Sequence, residues 1–236
     1  MLTGNNRDAR HLFDVYARVC VVNLPARNDR RREMTCELKR FGIANDPRLT
    51  FFPAIAPDLS EPWRSRGERG CFLSHLAILR TADAAGQSVL ILEDDCDFTD
   101  AAGDSGWGRG SDIFYGGFGA ADYSDLRHAD IQGSHCMGFS RGVLPELVQF
   151  LEQLAEEPAP PPIDGAYVRF RKASPRFQVE FALPQVAVQR QSPSDIAPGR
   201  FDRSRALAFL ARIARRLNRR RYRRLKMMEG VSKPTN

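Results

Sequence analysis

Three consecutive acids directly follow an apolar run in the first half of the chain. Val89 to Leu92 lead into Glu93, Asp94 and Asp95, which predicts a buried strand that ends in three carboxylates. Open α/β sheets bind their ligands at such strand ends. Adjacent carboxylates repel one another unless a cation or hydrogen-bond donors compensate, so the triplet is a candidate site for a hard divalent cation. The alternative is a solvated acidic turn.

A basic cluster follows the first apolar run, Arg18 to Leu24. The turn from Pro25 to Asp29 leads into a predicted helix whose first turn carries Arg30, Arg31 and Arg32. Cations are unfavourable at a helix N-terminus, but the same position suits a phosphate group. The pattern therefore indicates either a phosphate site or a solvated basic turn.

The elements that must position these residues alternate between strand and helix. The strands are predicted at 18–24, 49–55, 89–92, 112–118, 133–140, 177–181 and 184–189, and the helices after Asp29 and at 71–85, 144–155 and 166–170. This alternation predicts one α/β domain over residues 1–199, with a central and mostly parallel sheet. Residues 99–110 are expected to hold little regular structure.

Residues 200–236 form a basic tail that differs from the domain in charge. Residues 1–199 hold 22 Lys and Arg against 27 Asp and Glu, a formal charge of −5, whereas the whole chain carries +6. Apolar and Arg side chains alternate over 201–224 with the spacing of an amphipathic helix. This pattern predicts a helix that lies on an anionic membrane surface, and the basic residues that would contact the surface continue to Lys226. The alternatives are solvated disorder and nucleic-acid binding, which the acidic domain disfavours.

The cysteines favour a reducing compartment over a disulfide framework, because they are odd in number and no pair has CxxC spacing. They are Cys20, Cys36, Cys71, Cys96 and Cys136. The four histidines complete no zinc pattern with them, and His75 is interpreted as a packing residue beside an apolar helix face. Without a signal peptide or a span of about 20 apolar residues, we expect a soluble or peripheral protein in the cytoplasm.

Six segments of the chain carry a resemblance to a known family. They are VVNLPARNDRR (21–31), GERGCFLSH (67–75), VLILEDDCDF (89–98), DIFYGG (112–117), SHCMGFSRG (134–142) and AVQRQSPSDI (187–196). In this order they resemble the successive blocks of glycosyltransferase family 25, which includes lipopolysaccharide core and collagen galactosyltransferases. The most specific part is the Gly-Cys-x-x-Ser-His block followed by the Glu-Asp-Asp strand.

This resemblance implies a GT-A type fold, a UDP-sugar donor, commonly UDP-galactose, a Mn²⁺ or Mg²⁺ ion, and sugar transfer with inversion. Glu93, Asp94 and Asp95 fall on the family's metal motif. Because alternate side chains of a strand share a face, we expect Glu93 and Asp95 to point together and Asp94 to point away. Asp95 is then the direct ligand, and Glu93 acts through water or the ribose. The donor-binding residues implied by the first and last blocks are Asn23, Arg27, Arg30, Arg31, Gln189 and Asp195.

Asp164 falls on the family's position of a hydrophobic residue followed by Asp. Inverting transfer needs a base on the acceptor hydroxyl, so Asp164 is the candidate base, with a plain helix N-cap as the alternative. Two segments depart from the family. Pro53 to Pro57 stand where relatives often have Ala-x-Asp-Gly, and 99–111 lack the usual amphipathic helix, which leaves donor and acceptor contacts open there.

These patterns predict an enzyme that moves a sugar from a UDP-sugar to a lipid-linked or oligosaccharide acceptor in lipopolysaccharide or surface polysaccharide assembly. It would work at the inner face of the cytoplasmic membrane. One rival is a metal-dependent phosphohydrolase, which four scattered histidines disfavour. The other is a degenerate transferase that binds nucleic acid or an anionic surface through its Arg-rich tail.

Overall fold

The structure is a computed structural model and describes residues 12–190. Asp195 and the tail predicted over 201–226 lie outside the described residues. The helices are α1 (Asn28–Arg40), α2 (Arg66–Ala84), α3 (Leu144–Ala155) and α4 (Ile163–Ala173). The strands are β1 (Arg18–Asn23), β2 (Leu49–Pro53), β3 (Val89–Glu93), β4 (Cys96–Phe98), β5 (Ile113–Ala120), β6 (Ile131–Phe139), β7 (Val179–Phe181) and β8 (Ala187–Gln189).

A six-stranded sheet in the order β2-β1-β3-β6-β5-β7 forms the centre of the fold. β1 pairs in parallel with β2 and β3, β6 runs antiparallel to both β3 and β5, and β7 is parallel to β5. Five strands therefore share one direction, and the predicted α/β class with a mostly parallel sheet is confirmed. β4 and β8 form a separate antiparallel pair.

The central strand β3 is buried on both faces, as its unbroken apolar sequence predicts. Val89 and Ile91 pack into the cluster that contains the apolar residues of α2, α3 and α4. Leu90 and Leu92 pack into the other cluster, which includes Met34 of α1. The helices thus cover both faces of the sheet and leave the carboxyl ends of β1 and β3 at one edge.

α2 begins at Arg66, five residues earlier than the predicted start at Cys71. Ser65 is its N-cap, and the Ser65 hydroxyl accepts a hydrogen bond from the Glu68 amide. The Ser-x-x-Glu spacing of a capping box outweighs the low helix propensity of the two glycines in the first turns. The sequence block that resembles the family's second block is therefore helical from its first residue.

Other boundaries also differ from the prediction. The β5 and β6 strands extend into 119–132, which was predicted to be a polar loop, because the two strands pair with each other as far as Ala120 and Ile131. Of the strand predicted over 184–189, only Ala187–Gln189 forms a strand in the structure, and this strand pairs with β4 rather than with the main sheet. None of the helices among residues 12–190 has the length and apolar content to cross a bilayer.

Candidate functional site

The acidic triplet lies where β3 ends. The strand stops at Glu93 and β4 starts at Cys96, so Asp94 and Asp95 form the turn between them. An Arg30 guanidinium nitrogen lies 2.9 Å from Asp94 Oδ1 and 3.4 Å from Asp95 Oδ2. The expectation that Asp94 points away from Asp95 was wrong, because the alternation of strand side chains ends one residue earlier.

Asp94 is bound by protein donors at both carboxylate oxygens. Oδ1 accepts from Arg30, and Oδ2 accepts from Asn23 Nδ2 at 2.7 Å. Asn23 is buried at the end of β1 and also donates to the Arg27 carbonyl. Asp94 therefore joins β1, α1 and the end of β3.

One carboxylate oxygen of Asp95 has no hydrogen-bond donor among residues 12–190. Oδ2 accepts a long hydrogen bond from Gln189 Nε2 at 3.4 Å, while Oδ1 is buried without a partner in this part of the chain. Burial raises the pKa of Asp95, and the nearby Arg30 charge opposes this shift. A buried carboxylate oxygen that lacks a donor is suited to a cation.

Glu93 is the last residue of β3 and lies at the end of its paired part. Its Oε1 accepts from Ser134 Oγ at 2.6 Å and lies 3.8 Å from His75 Nε2. Burial, followed by the charge of Asp95, raises the pKa of Glu93 to about 8. A positive charge at this position would favour the ionised form.

The three acids do not converge on a single point. Within residues 12–190, three His, Cys, Asp or Glu side chains bring their ligand atoms within 4.8 Å of one another only at Cys71, His75 and Glu93. An ion at Asp95 would thus take few protein ligands and the remainder from water and phosphate oxygens. Mg²⁺ sites are commonly built in this way, so the residues present fit the ion that the resemblance implies.

A cavity of about 340 Å³ brings these groups together. This volume lies at the lower end of the range for small-ligand pockets. Its walls come from the ends of β1 and β3, the start of α1, the loop 54–57, the first turns of α2, and Gln189. The lining residues include Val22, Leu24, Arg30, Arg66, Cys71 and all three acids.

Gly70 allows α2 to approach the loop at 54–57. A Cβ atom at this position would lie 2.4 Å from the Ile55 carbonyl oxygen, which belongs to the backbone and has little room to move. Ser74 Oγ also accepts from the Ile55 amide at 2.8 Å. The glycine in the Gly-Cys-x-x-Ser-His block thus sets the distance between two walls of the cavity.

Two of the arginines implied by the first block have other contacts. Arg27 forms an ion pair with Asp29 at 2.9 Å, and the Arg31 guanidinium stacks 4.1 Å above the Phe51 ring. Neither lines the cavity. Of the predicted donor-binding residues in the described part of the chain, Arg30 and Gln189 line the cavity, and Asn23 supports it through Asp94.

Asp164 lies in the first turn of α4 and outside the lining of the cavity. Its Oδ2 accepts from the Gly133 amide at 3.0 Å and its Oδ1 from the Gly165 amide at 2.8 Å. The N-cap of α4 is Pro162, so the alternative of a plain Asp164 N-cap is wrong. The carboxylate joins α4 to β6.

Arg190 is a site residue that the sequence analysis missed. Its amide donates to the Asp95 carbonyl at 2.6 Å, and its buried guanidinium bonds Asp97 Oδ1 at 2.6 and 2.9 Å and Glu33 at 2.7 Å. These contacts fix the backbone of the acidic turn. Its position beside Gln189 was a weak signal, because the β4–β8 pairing that brings Arg190 to the acidic turn joins residues that are 89 to 93 positions apart in the sequence.

No protein-family model and no curated protein sequence matches this chain. Solved structures do match it, and one is described as the crystal structure of a glycosyltransferase involved in the glycosylation of the major capsid of PBCV-1. That comparison has a TM-score of 0.47 at 10% identity and covers 74% of this chain and 93% of the other. A likeness at this TM-score and identity assigns neither a family nor an activity to this chain.

Proposed function

We propose that this protein transfers a sugar from a nucleotide-sugar donor, with UDP-galactose as the first candidate, to a saccharide acceptor. The observation that carries the proposal is the unpartnered Oδ1 of Asp95, which is buried beside Arg30 at the carboxyl end of β3. A carboxylate and a guanidinium at one edge of an α/β sheet provide complementary contacts for a cation and for a diphosphate.

The donor's diphosphate would lie in the cavity, against Arg30 and the acidic turn. Mn²⁺ or Mg²⁺, held by Asp95 and through water by Glu93, would supply positive charge against the departing nucleoside diphosphate. Asp94 positions Arg30 through its own ion pair. The apolar side chains of Val22, Leu24 and the loop 54–57 would contact the nucleobase or the apolar face of the sugar.

Asp164 is our candidate for the base that accepts the acceptor's hydroxyl proton. The amides of Gly133 and Gly165 hold its carboxylate in one orientation. The acceptor would therefore approach from the side of β6 and α4. We propose that transfer inverts the sugar carbon, because a base and a leaving group on opposite sides of that carbon would permit direct displacement.

The basic segment 201–226 is proposed to hold the enzyme on an anionic membrane surface at the cytoplasmic face, close to a lipid-linked or oligosaccharide acceptor. Each basic residue near such a surface contributes about 1 kcal/mol. Removal of residues 201–236 is expected to abolish binding to anionic vesicles and to spare donor hydrolysis. Unchanged vesicle binding that salt does not weaken would contradict this role.

The experiment that tests the function is a donor-hydrolysis screen over UDP, GDP and CMP sugars with Mn²⁺, with and without EDTA. We expect hydrolysis of a UDP-sugar that EDTA stops and that Asp95→Asn lowers strongly. Asp122→Asn is the matched control, because Asp122 is exposed and its carboxylate bonds only to Ser124 within residues 12–190. Absence of hydrolysis for every donor would overturn the proposal.

A further inference from the structure

We propose that Cys71, His75 and Glu93 form a second cation site, specific for Zn²⁺ or another borderline divalent ion, in the wall of the cavity. This site shares Glu93 with the one assigned to Asp95 but differs from it in its other ligands, and it does not rest on the transferase proposal. Its basis is the placement of a thiol, an imidazole and a carboxylate whose ligand atoms all lie within 4.8 Å of one another.

The fold delivers these three side chains from two adjacent elements. Cys71 and His75 are four residues apart on α2, so they lie on the same helix face. Glu93 is the last residue of β3, against which α2 packs. The i, i+4 spacing on one helix plus a third ligand from a neighbouring element is a common way to assemble a metal site.

The histidine is oriented as a metal ligand would be. His75 is fully buried, and its Nδ1 lies 2.9 Å from the Tyr167 hydroxyl. Its Nε2 is buried, has no hydrogen-bond partner within the described residues and lies 3.8 Å from Glu93 Oε1. A hydrogen bond at one ring nitrogen that leaves the other free for the metal is the usual arrangement around ligating histidines. Ser134 Oγ donates to the same oxygen, Glu93 Oε1, and so fixes the position of the carboxylate.

The spacing of the donors matches a small tetrahedral ion. Zn²⁺ bonds of about 2.0–2.3 Å place neighbouring ligand atoms about 3.3–3.6 Å apart. The observed 3.8 Å between His75 Nε2 and Glu93 Oε1 is slightly wider, and the Cys71 sulfur lies within 4.8 Å of both atoms. Side-chain adjustments of up to about 1 Å would therefore close the site. Sulfur and imidazole ligands favour Zn²⁺ over Mg²⁺, Mn²⁺ and Ca²⁺.

The fourth position would be open to the cavity. Cys71 and Glu93 both line the cavity, and His75 lies behind them. Three protein ligands plus one accessible position characterise zinc sites that bind water or a substrate oxygen. On binding, the Cys71 thiol and the protonated fraction of the Glu93 carboxyl lose their protons to solvent, and the resulting thiolate and carboxylate balance the two charges of the ion.

Cobalt(II) titration of the full chain tests the site, because a thiolate bound to Co²⁺ gives a charge-transfer absorption in the near ultraviolet and tetrahedral Co²⁺ gives intense visible bands. We expect one equivalent of Co²⁺ to produce both and one equivalent of Zn²⁺ to remove them. Wild-type protein without a charge-transfer band would overturn the proposal.

Four variants locate the ion. Cys71→Ser is expected to lose the charge-transfer band and Glu93→Gln to weaken Co²⁺ binding at least tenfold, whereas Cys36→Ser should keep the band, since Cys36 is an exposed cysteine on α1. Asp95→Asn should also keep it, which separates this site from the donor's cation. A band that survives in Cys71→Ser would contradict the assignment.

A measurement on the wild-type protein covers the case in which Cys71→Ser fails to fold. Alkylation followed by mass spectrometry of the cysteine-containing peptides reports the reactivity of each thiol. Stoichiometric Zn²⁺ is expected to slow the labelling of Cys71 and to leave that of Cys36 unchanged. Equal labelling of Cys71 with and without Zn²⁺ would show that the cluster is a packing arrangement without an ion.

Discussion

Asn23 Nδ2 lies 2.7 Å from Asp94 Oδ2, and this buried hydrogen bond ties the end of β1 to the turn that follows β3. Asn23→Ala removes the donor and leaves a buried carboxylate oxygen less well satisfied. We expect the free energy of unfolding to fall by about 1–3 kcal/mol, as measured by urea denaturation.

Asn45→Ala is the control for this change, because Asn45 is exposed in the loop before β2. Its effect should stay within about 0.5 kcal/mol. Equal stability of the Asn23→Ala variant and the wild type would show that the Asn23–Asp94 contact does not support the turn.

Arg190 is predicted to be a positioning residue for the acidic turn. Arg190→Met removes a buried cation that bonds Asp97 and Glu33, and the loss of one partner from a buried ion pair costs about 3–5 kcal/mol. We expect a lower melting temperature and weaker donor binding, with partial rescue by Arg190→Lys. Arg176→Met, at an exposed ion pair with Glu146, should change stability by less than about 1 kcal/mol.

Gly70→Ala tests the close approach between α2 and the loop at 54–57. Ala is favoured over Gly within a helix by about 1 kcal/mol, so propensity alone predicts a stabilised protein. We expect the opposite, a loss of about 1–3 kcal/mol, because the added Cβ would lie 2.4 Å from the Ile55 carbonyl oxygen. Gly142→Ala, whose Cβ would meet Ser140 Oγ at 3.7 Å, should be close to neutral.

The proposed base predicts a specific kinetic effect for Asp164→Asn. The amide retains an oxygen for the Gly133 or Gly165 amide but cannot take a proton, so transfer to an acceptor should fall by roughly 10²–10⁴-fold. Donor affinity, measured separately by calorimetry, should stay near the wild-type value. Turnover at the wild-type rate would leave Asp164 with only its link between α4 and β6.

The sequence predicted those parts of the fold that local patterns determine. The apolar run Val89–Leu92 could be assigned to a buried central strand because it is apolar at every position. The mostly parallel sheet followed from the alternation of strands and helices. The resemblance to family 25 placed Arg30, Asp95 and Gln189 in one site, and the structure brings all three to one cavity.

What the sequence did not predict depends on contacts between distant residues. The role of Arg190 follows from the β4–β8 pairing. The direction of the Asp94 side chain depends on where β3 ends, and its pairing with β1 sets this end, because Val22 is aligned with Glu93. The sequence alone indicates a packing role for His75, because only the folded chain brings Glu93 to the face of α2 on which Cys71 and His75 both lie. Asp195 stays a prediction.

The central claim is that Asp95 holds the cation that binds the donor, and calorimetric titration of UDP-sugar in the presence of Mn²⁺ tests it most directly. Asp95→Asn should weaken Mn²⁺-dependent donor binding by roughly 10–100-fold without lowering the melting temperature of the metal-free protein, because removal of one charge relieves the repulsion among three neighbouring carboxylates. Asp122→Asn should bind as the wild type does. If Asp95→Asn binds donor and Mn²⁺ like the wild type, or if EDTA leaves transfer unchanged, the role assigned to the end of β3 is wrong.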